Sequence, residues 1–198
     1  MSVKSASVFR TALVTDHKNG LLKMPETELN RVLEGVDRMI HDLDLWEAGV
    51  APPPDLLAQQ IIEGEALALM LIAKERAKQG MPALVLLPEL SFVARNHSKW
   101  LLAQPLGVRI KDPLKQDGKY LWQVARDAGA GQFIPFEVTA DFGNQIPVMH
   151  ERVVRDRLAY NRKMLDSKMV NAGVGVATQT SDAGTRIALT VIYAGKKF

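Results

Sequence analysis

Residues 172–194 read AGVGVATQTSDAGTRIALTVIYA, and their rhythm decides the fold class. From Ala172 to Thr180, Val174, Val176 and Thr178 alternate with small residues. From Thr185 to Ala194, Ile187, Leu189, Val191 and Tyr193 fall on one face of an extended chain, and Ala188, Thr190 and Ile192 on the other. A period of two is the signature of a strand. Ser181-Asp182-Ala183-Gly184 supplies a glycine-containing hairpin loop between the two strands, which are therefore expected to pair antiparallel. Gly173 and Gly175 lie within the first strand, and no helix follows them as a phosphate loop would need. Their expected role is to let another backbone come close.

Working outward, Phe133 to Thr139 reads as a further strand, and helices fill most of the remaining chain. Pro147 opens one that lasts to about Ser167, and Pro88-Glu89 opens one that runs to about Gln104. Residues 120–128 form a short helix, residues 105–119 a loop, and Asp55 to Gln79 a long, mostly apolar helix closed by Gly80. Pro25 starts a helix whose residues Leu29, Val32, Leu33, Val36, Ile40, Leu43 and Trp46 make one apolar face; the other face is acidic. Helices and a few strands without βαβ alternation point to an α+β fold, with helices packed on a mostly antiparallel sheet. Residues 1–24 follow no single helical face and are expected to be an extended arm, basic on balance (Lys4, Arg10, Lys18 and Lys23 against Asp16). The expected organisation is an arm at 1–24, an amphipathic acidic helix with a linker at 25–50, ending towards Pro52-Pro53-Pro54, and a domain at 55–198.

Composition excludes several function classes. The chain has 198 residues, 47% of them hydrophobic and 24% charged, as in an ordinary globular protein. It contains no cysteine, which removes disulfide frameworks, thiolate-bound zinc and a thiol nucleophile. The net charge of +3 comes from interspersed acids and bases rather than a basic cluster, so no nucleic-acid partner is expected. Met1 to Gly20 lacks the apolar core of a secretory signal, and the apolar run Ala66 to Ala73 is too short to span a bilayer. The expectation is a chain made in the cytoplasm without an export signal or membrane span.

Four stretches together resemble the CAP superfamily (cysteine-rich secretory, antigen 5 and pathogenesis-related proteins) in a cysteine-free bacterial form. They are ALVLLPELSFVARNHSKW at Ala83–Trp100, DGKYLWQVARDAG at Asp117–Gly129, Phe136-Glu137-Val138, and MLDSKMVNAGVGVA at Met164–Ala177. The resemblance spans about residues 76–193 and implies an α-β-α sandwich with a sheet of three to four strands. It also implies a cleft with two histidines and two glutamates that can hold a metal. In this sequence the first histidine position falls in Arg109-Ile110-Lys111-Asp112-Pro113, and the second aligns with Tyr160, next to Asn161. Glu137 matches one glutamate, and Glu151 matches the other only after a shift of one residue. The degenerate cleft is thus Glu137, Lys111, Tyr160, Asn161 and Glu151, with no metal or other cofactor expected and no catalytic residue assigned.

Single residues mostly carry structural readings. His97 is expected to hydrogen-bond locally, and Trp100, Tyr120 and Trp122 to be core aromatics rather than groove linings. Ser91, Ser98 and Ser181 lie in no nucleophile-elbow motif. The resulting expectation is a non-enzymatic structural or interaction module of a larger assembly, with a phage virion as the setting. It would dock on other subunits, in multiple copies, through Val8, Phe9, Leu13, Leu21 and Leu22 of the arm. The competing reading is a hydrolase, or a sugar- or lipid-binding protein, that works through the cleft.

Overall fold

The computed structural model describes residues 2–51, 56–104, 115–127, 133–143, 150, 164–181 and 184–197; for 56–63, 133–143, 181, 184 and 197 the description is of the backbone alone. In chain order the elements are α1 (Val3–Lys18), α2 (Glu26–Glu47), α3 (Leu56–Lys78), β1 (Val85–Leu86), α4 (Pro88–Ala103), β2 (Lys115–Gln116), β3 (Lys119–Tyr120), α5 (Leu121–Ala125), β4 (Phe133–Gly143), β5 (Asn171–Ser181) and β6 (Gly184–Lys197). The expected Pro147–Ser167 helix and the Pro52–Pro54 linker lie outside the described residues except at their margins.

The expected hairpin is the centre of the molecule. β5 and β6 pair antiparallel from Asn171↔Ala194 to Ser181↔Gly184, and β4 adds antiparallel to the far side of β6. β1 completes a four-stranded sheet in the order β1-β5-β6-β4, and because it runs parallel to β5 the sheet is mixed. β2 and β3 form a separate small hairpin.

The two sides of the hairpin bury different helices. Val174, Val176, Ile187, Leu189, Val191 and Tyr193 meet α2 and α3 through Val32, Val36, Ala66, Leu69 and Met70. On the other side Ile192 and Ala194 meet Leu90, Val93 and Ala94 of α4, together with Leu121 and Ala125 of α5. At roughly 1.5–3 kcal/mol per large apolar side chain removed from water, these two layers are the main source of stability.

Gly173 and Gly175 explain how closely α4 can sit. A Cβ placed on Gly173 would lie 2.3 Å from the backbone carbon of Leu90, and one on Gly175 would lie 2.1 Å from that of Ala94. The helix therefore rests on bare strand backbone, as the glycine pair predicts. β5 is a central strand over its first two residues only; beyond them its outer edge has no neighbouring strand among the described residues. Side chains cover that edge instead. Ser91 Oγ accepts from the Val174 amide at 3.2 Å, and Glu65 Oε1 accepts from the Val176 amide at 3.4 Å.

The N-terminal region corrects the expected extended arm. Val3–Lys18 is a helix that starts in a capping box, in which Ser2 and Ser5 satisfy each other's amides. Its apolar stripe is Val3, Ala6, Phe9 and Leu13, a spacing of three, three and four. Val8 and Val14 lie off this stripe, and Ala6 is small, so the periodicity is faint in the sequence. α1 and α2 form an antiparallel hairpin. The Val3 amide donates to Glu47 Oε1, Arg10 makes two hydrogen bonds to Asp37, and Ala6 packs on Met39 and Leu43. After the turn at Gly20 (φ +70°) the chain joins the sheet edge. Lys23 bridges to Val85 in parallel, and its carbonyl accepts from the Leu86 amide. Leu22 and Met24 are buried beside that bridge.

Candidate functional site

The residues expected to form the cleft are only partly in view. Glu137 sits mid-strand in β4, in register with Tyr193 of β6. Lys111, Glu151, Tyr160 and Asn161 lie outside the described residues.

Around Tyr193 the described chain builds a polar knot. Arg76 of α3 is fully buried and spreads its guanidinium over four carbonyl oxygens. Nε donates to Pro82 at 2.8 Å, one terminal nitrogen to Met164 at 2.7 Å and to Asp166 at 3.2 Å, and the other to Met169 at 3.0 Å. Burial pulls its pKa down, while Tyr193 and Asp166 oppose that shift. The fan fixes the 164–169 segment that leads into β5, directly after the segment bearing Tyr160 and Asn161. Sequence reading misses this residue, because Arg76 near a helix C-terminus looks like an ordinary solvated charge. Its signal is that it lies on the buried stripe of α3 with Leu69 and Ile72.

A second buried polar pair joins α3 to α4. Arg95 donates to both carboxylate oxygens of Glu65, at 2.7 and 2.6 Å, and this bonding raises the guanidinium pKa against the effect of burial. On the other side of the sheet, the Ser98 hydroxyl donates to the Gly175 carbonyl at 2.8 Å and lies 2.8 Å from the Thr190 hydroxyl. His97 is buried, stacks on Trp100 with centroids 5.5 Å apart, and places Nδ1 3.3 Å from Gln116 Oε1. Trp100 Nε1–H in turn donates to Asp117. These contacts tie α4 to the β2–β3 hairpin, a local structural role as expected for His97. Tyr120 and Trp122 depart from the core reading. They are 41% and 44% exposed, with Lys115 over the Tyr120 ring at 4.3 Å and Arg126 over the Trp122 ring at 5.5 Å.

His150 is buried, and its Nε2 has no hydrogen-bond partner among the described residues. Burial lowers its pKa; Glu75 opposes the shift and Lys78 adds to it. Among the described residues, no three His, Asp or Glu side chains are grouped so as to hold a metal ion, and no helix is long and apolar enough to cross a membrane.

The five residues expected to dock on partners divide in two. Leu13 and Leu22 are buried in the domain's own core and Phe9 packs against it, whereas Val8 is 64% exposed and Leu21 36% exposed. The helical period causes this division: Phe9 and Leu13 lie on the inner stripe of α1, and Val8 on the opposite side. The outer side carries a shallow, open depression lined among the described residues by Lys4, Ser7, Val8, Thr11, Ala12, Thr15 and Asp16.

A profile of the Cysteine-rich secretory protein family (CAP) matches residues 69–193. The chain belongs to the CAP family. No curated protein matches it closely. Among solved structures, an outer surface protein from Borrelia burgdorferi has 12% identity and a TM-score of 0.55 over 68% of this chain and 94% of its own. An extracellular protein containing an SCP domain from Bacillus anthracis has 16% identity and a TM-score of 0.53, covering 74% of this chain and 45% of its own. A cysteine-rich secretory protein from Staphylococcus aureus has 14% identity and a TM-score of 0.51, over 74% and 42%. The chain thus spans less than half the length of the last two, and at such identities all three speak for the CAP fold alone. The CAP match begins within α3, so α1 and α2 lie outside it.

Proposed function

We propose that this CAP-type chain is a non-enzymatic interaction module of a larger assembly. One observation carries the reading: the α1–α2 hairpin, outside the family match, is locked onto the CAP core by its inner stripe and leaves Val8 exposed on an open outer face. The docking element is then the outer face of a helix rather than an extended arm. A virion is the setting proposed for the assembly, with the chain made in the cytoplasm and then incorporated. The replacement of both expected imidazole positions, by the Arg109–Pro113 stretch and by Tyr160, supports the non-enzymatic part.

The test sets the mass of the purified chain, by light scattering, beside its mass in native material. A larger native mass, reduced by charged substitutions on the outer face of α1, is expected. A monomer in both states, together with hydrolysis or sugar or lipid binding abolished by Glu137→Gln, would overturn the proposal in favour of the cleft.

A further inference from the structure

The outer face of α1 has a charge order that its own helix does not explain. Lys4 stands in the first turn, where no acid is present, and Asp16 stands in the last turn. Each sits at the end of the helix dipole that disfavours its sign, Asp16 next to the last-turn bases His17 and Lys18. Neither makes an ion pair among the described residues, although Arg10 on the inner side of the same helix is paired with Asp37. Lys4, Val8, Ala12 and Asp16 follow one another at steps of four and so form a single ridge, with cation and anion about 18 Å apart at 1.5 Å per residue; Val8 is its exposed apolar member, while Ala12 is half-buried and also touches the domain's own core. Ser7, Thr11 and Thr15 form the adjacent row, and their small side chains leave the depression between the two.

Such a ridge is complementary to its own reversal. When two copies are laid antiparallel about a two-fold axis near residue 10, Lys4 meets the partner's Asp16, Val8 meets the partner's Ala12, and both pairs recur by symmetry. The ridge of each helix enters the depression beside the ridge of the other, the commonest packing of two helices. The misplaced charges then each face an opposite charge, and the two dipoles run antiparallel. We infer that the partner docked on α1 is a second copy of this chain, held antiparallel through the Lys4–Val8–Ala12–Asp16 ridge. This rests on the reading of the chain as an interaction module and names the partner of that face. A single helix pair is a small interface, so the association is weak when the chain is alone and accumulates only where many copies are gathered.

The full chain is tested by sedimentation velocity from about 1 μM to 1 mM at low salt. Lys4→Asp and Asp16→Lys should each weaken the dimer by about fivefold or more, because both symmetry-related pairs become like-charged. The double variant, Lys4→Asp with Asp16→Lys, should return to within about twofold of the original. Misfolding does not produce this pattern, since each reversal improves the match of α1 to its own dipole. Val8→Glu should abolish the dimer, and raising the salt to about 0.5 M should weaken it. If the chain self-associates but these variants leave its affinity unchanged, the ridge is refuted and the interaction-module reading stands. A chain that remains monomeric at 1 mM also refutes the ridge, and the mass in native material then decides the broader reading.

Discussion

Replacing Gly175 with alanine should be among the most damaging single-methyl additions in this domain. The new Cβ would lie 2.1 Å from the Ala94 carbonyl carbon and 2.1 Å from the Arg95 nitrogen. Both are backbone atoms of α4, so no side-chain rotation relieves the overlap. An ordinary contact needs about 3.4 Å, and α4 must therefore lift by more than about 1 Å. The lift pulls Leu90, Val93 and Ala94 away from Ile192 and Ala194, and it stretches the Ser98–Gly175 and Ser91–Val174 hydrogen bonds. Overpacking alone costs about 1–3 kcal/mol, and each buried hydrogen bond broken adds about 1–3 more. A loss of about 3–5 kcal/mol is expected, a large part of the 5–15 kcal/mol that holds a typical domain together. Urea unfolding followed by circular dichroism measures it. The same substitution at Gly20, where nothing lies within 4 Å but φ is +70°, serves as the control and should cost only about 1 kcal/mol. A Gly175→Ala protein within 1 kcal/mol of the parent would show that α4 does not rest on the strand as described.

Three further outcomes follow from the buried polar groups. Arg76→Met should cost about 3–5 kcal/mol in chemical unfolding, because it strips the donor from four carbonyls, those of Met164 and Met169 buried; Arg76→Lys should recover only part of this, since an ammonium cannot span the fan. Glu65→Ala leaves Arg95 half-buried without its carboxylate and uncovers the Val176 amide, so hydrogen exchange at Val176 should accelerate and stability should fall by about 2–4 kcal/mol. His150 has a folded-state pKa below its unfolded one, so the native state binds fewer protons. Stability is then complete above about pH 6.5 and falls as pH drops towards the folded value; His150→Leu should flatten that acid limb in a series of unfolding midpoints, and an unchanged limb would refute the assignment.

The hairpin was legible because Ile187, Leu189, Val191 and Tyr193 keep a strict period of two, and the glycine pair announced the close approach of α4. The helix starts were legible at Pro25 and Pro88, because proline fixes its own backbone there. α1 was not legible, because its inner stripe includes only Ala6 and Phe9 between Val3 and Leu13, while Val8 and Val14 blur the period. The parallel strand β1 was not legible, since two residues carry no rhythm. Of the cleft, the sequence placed Glu137 on a strand, and the structure adds its register opposite Tyr193. Arg76 and the Glu65–Arg95 pair were invisible in the sequence, because what makes them structural is their burial against segments as far as 93 residues away.

The layout of the sheet also sets an order on the chain's birth. The central strands lie at 171–197, so on a ribosome the five described helices emerge before the surface they are to cover exists. Val32, Val36, Leu69, Leu90 and Val93 are all made with their eventual neighbours still untranslated. Until Tyr193 has cleared the exit tunnel the nascent chain carries two exposed apolar helix faces, and closure requires β1 to find a strand about 85 residues downstream. Such long-range pairing is slow, and exposed apolar faces are what holding chaperones recognise. Nonsense mutations late in the gene should therefore release an aggregating chain rather than a shortened domain.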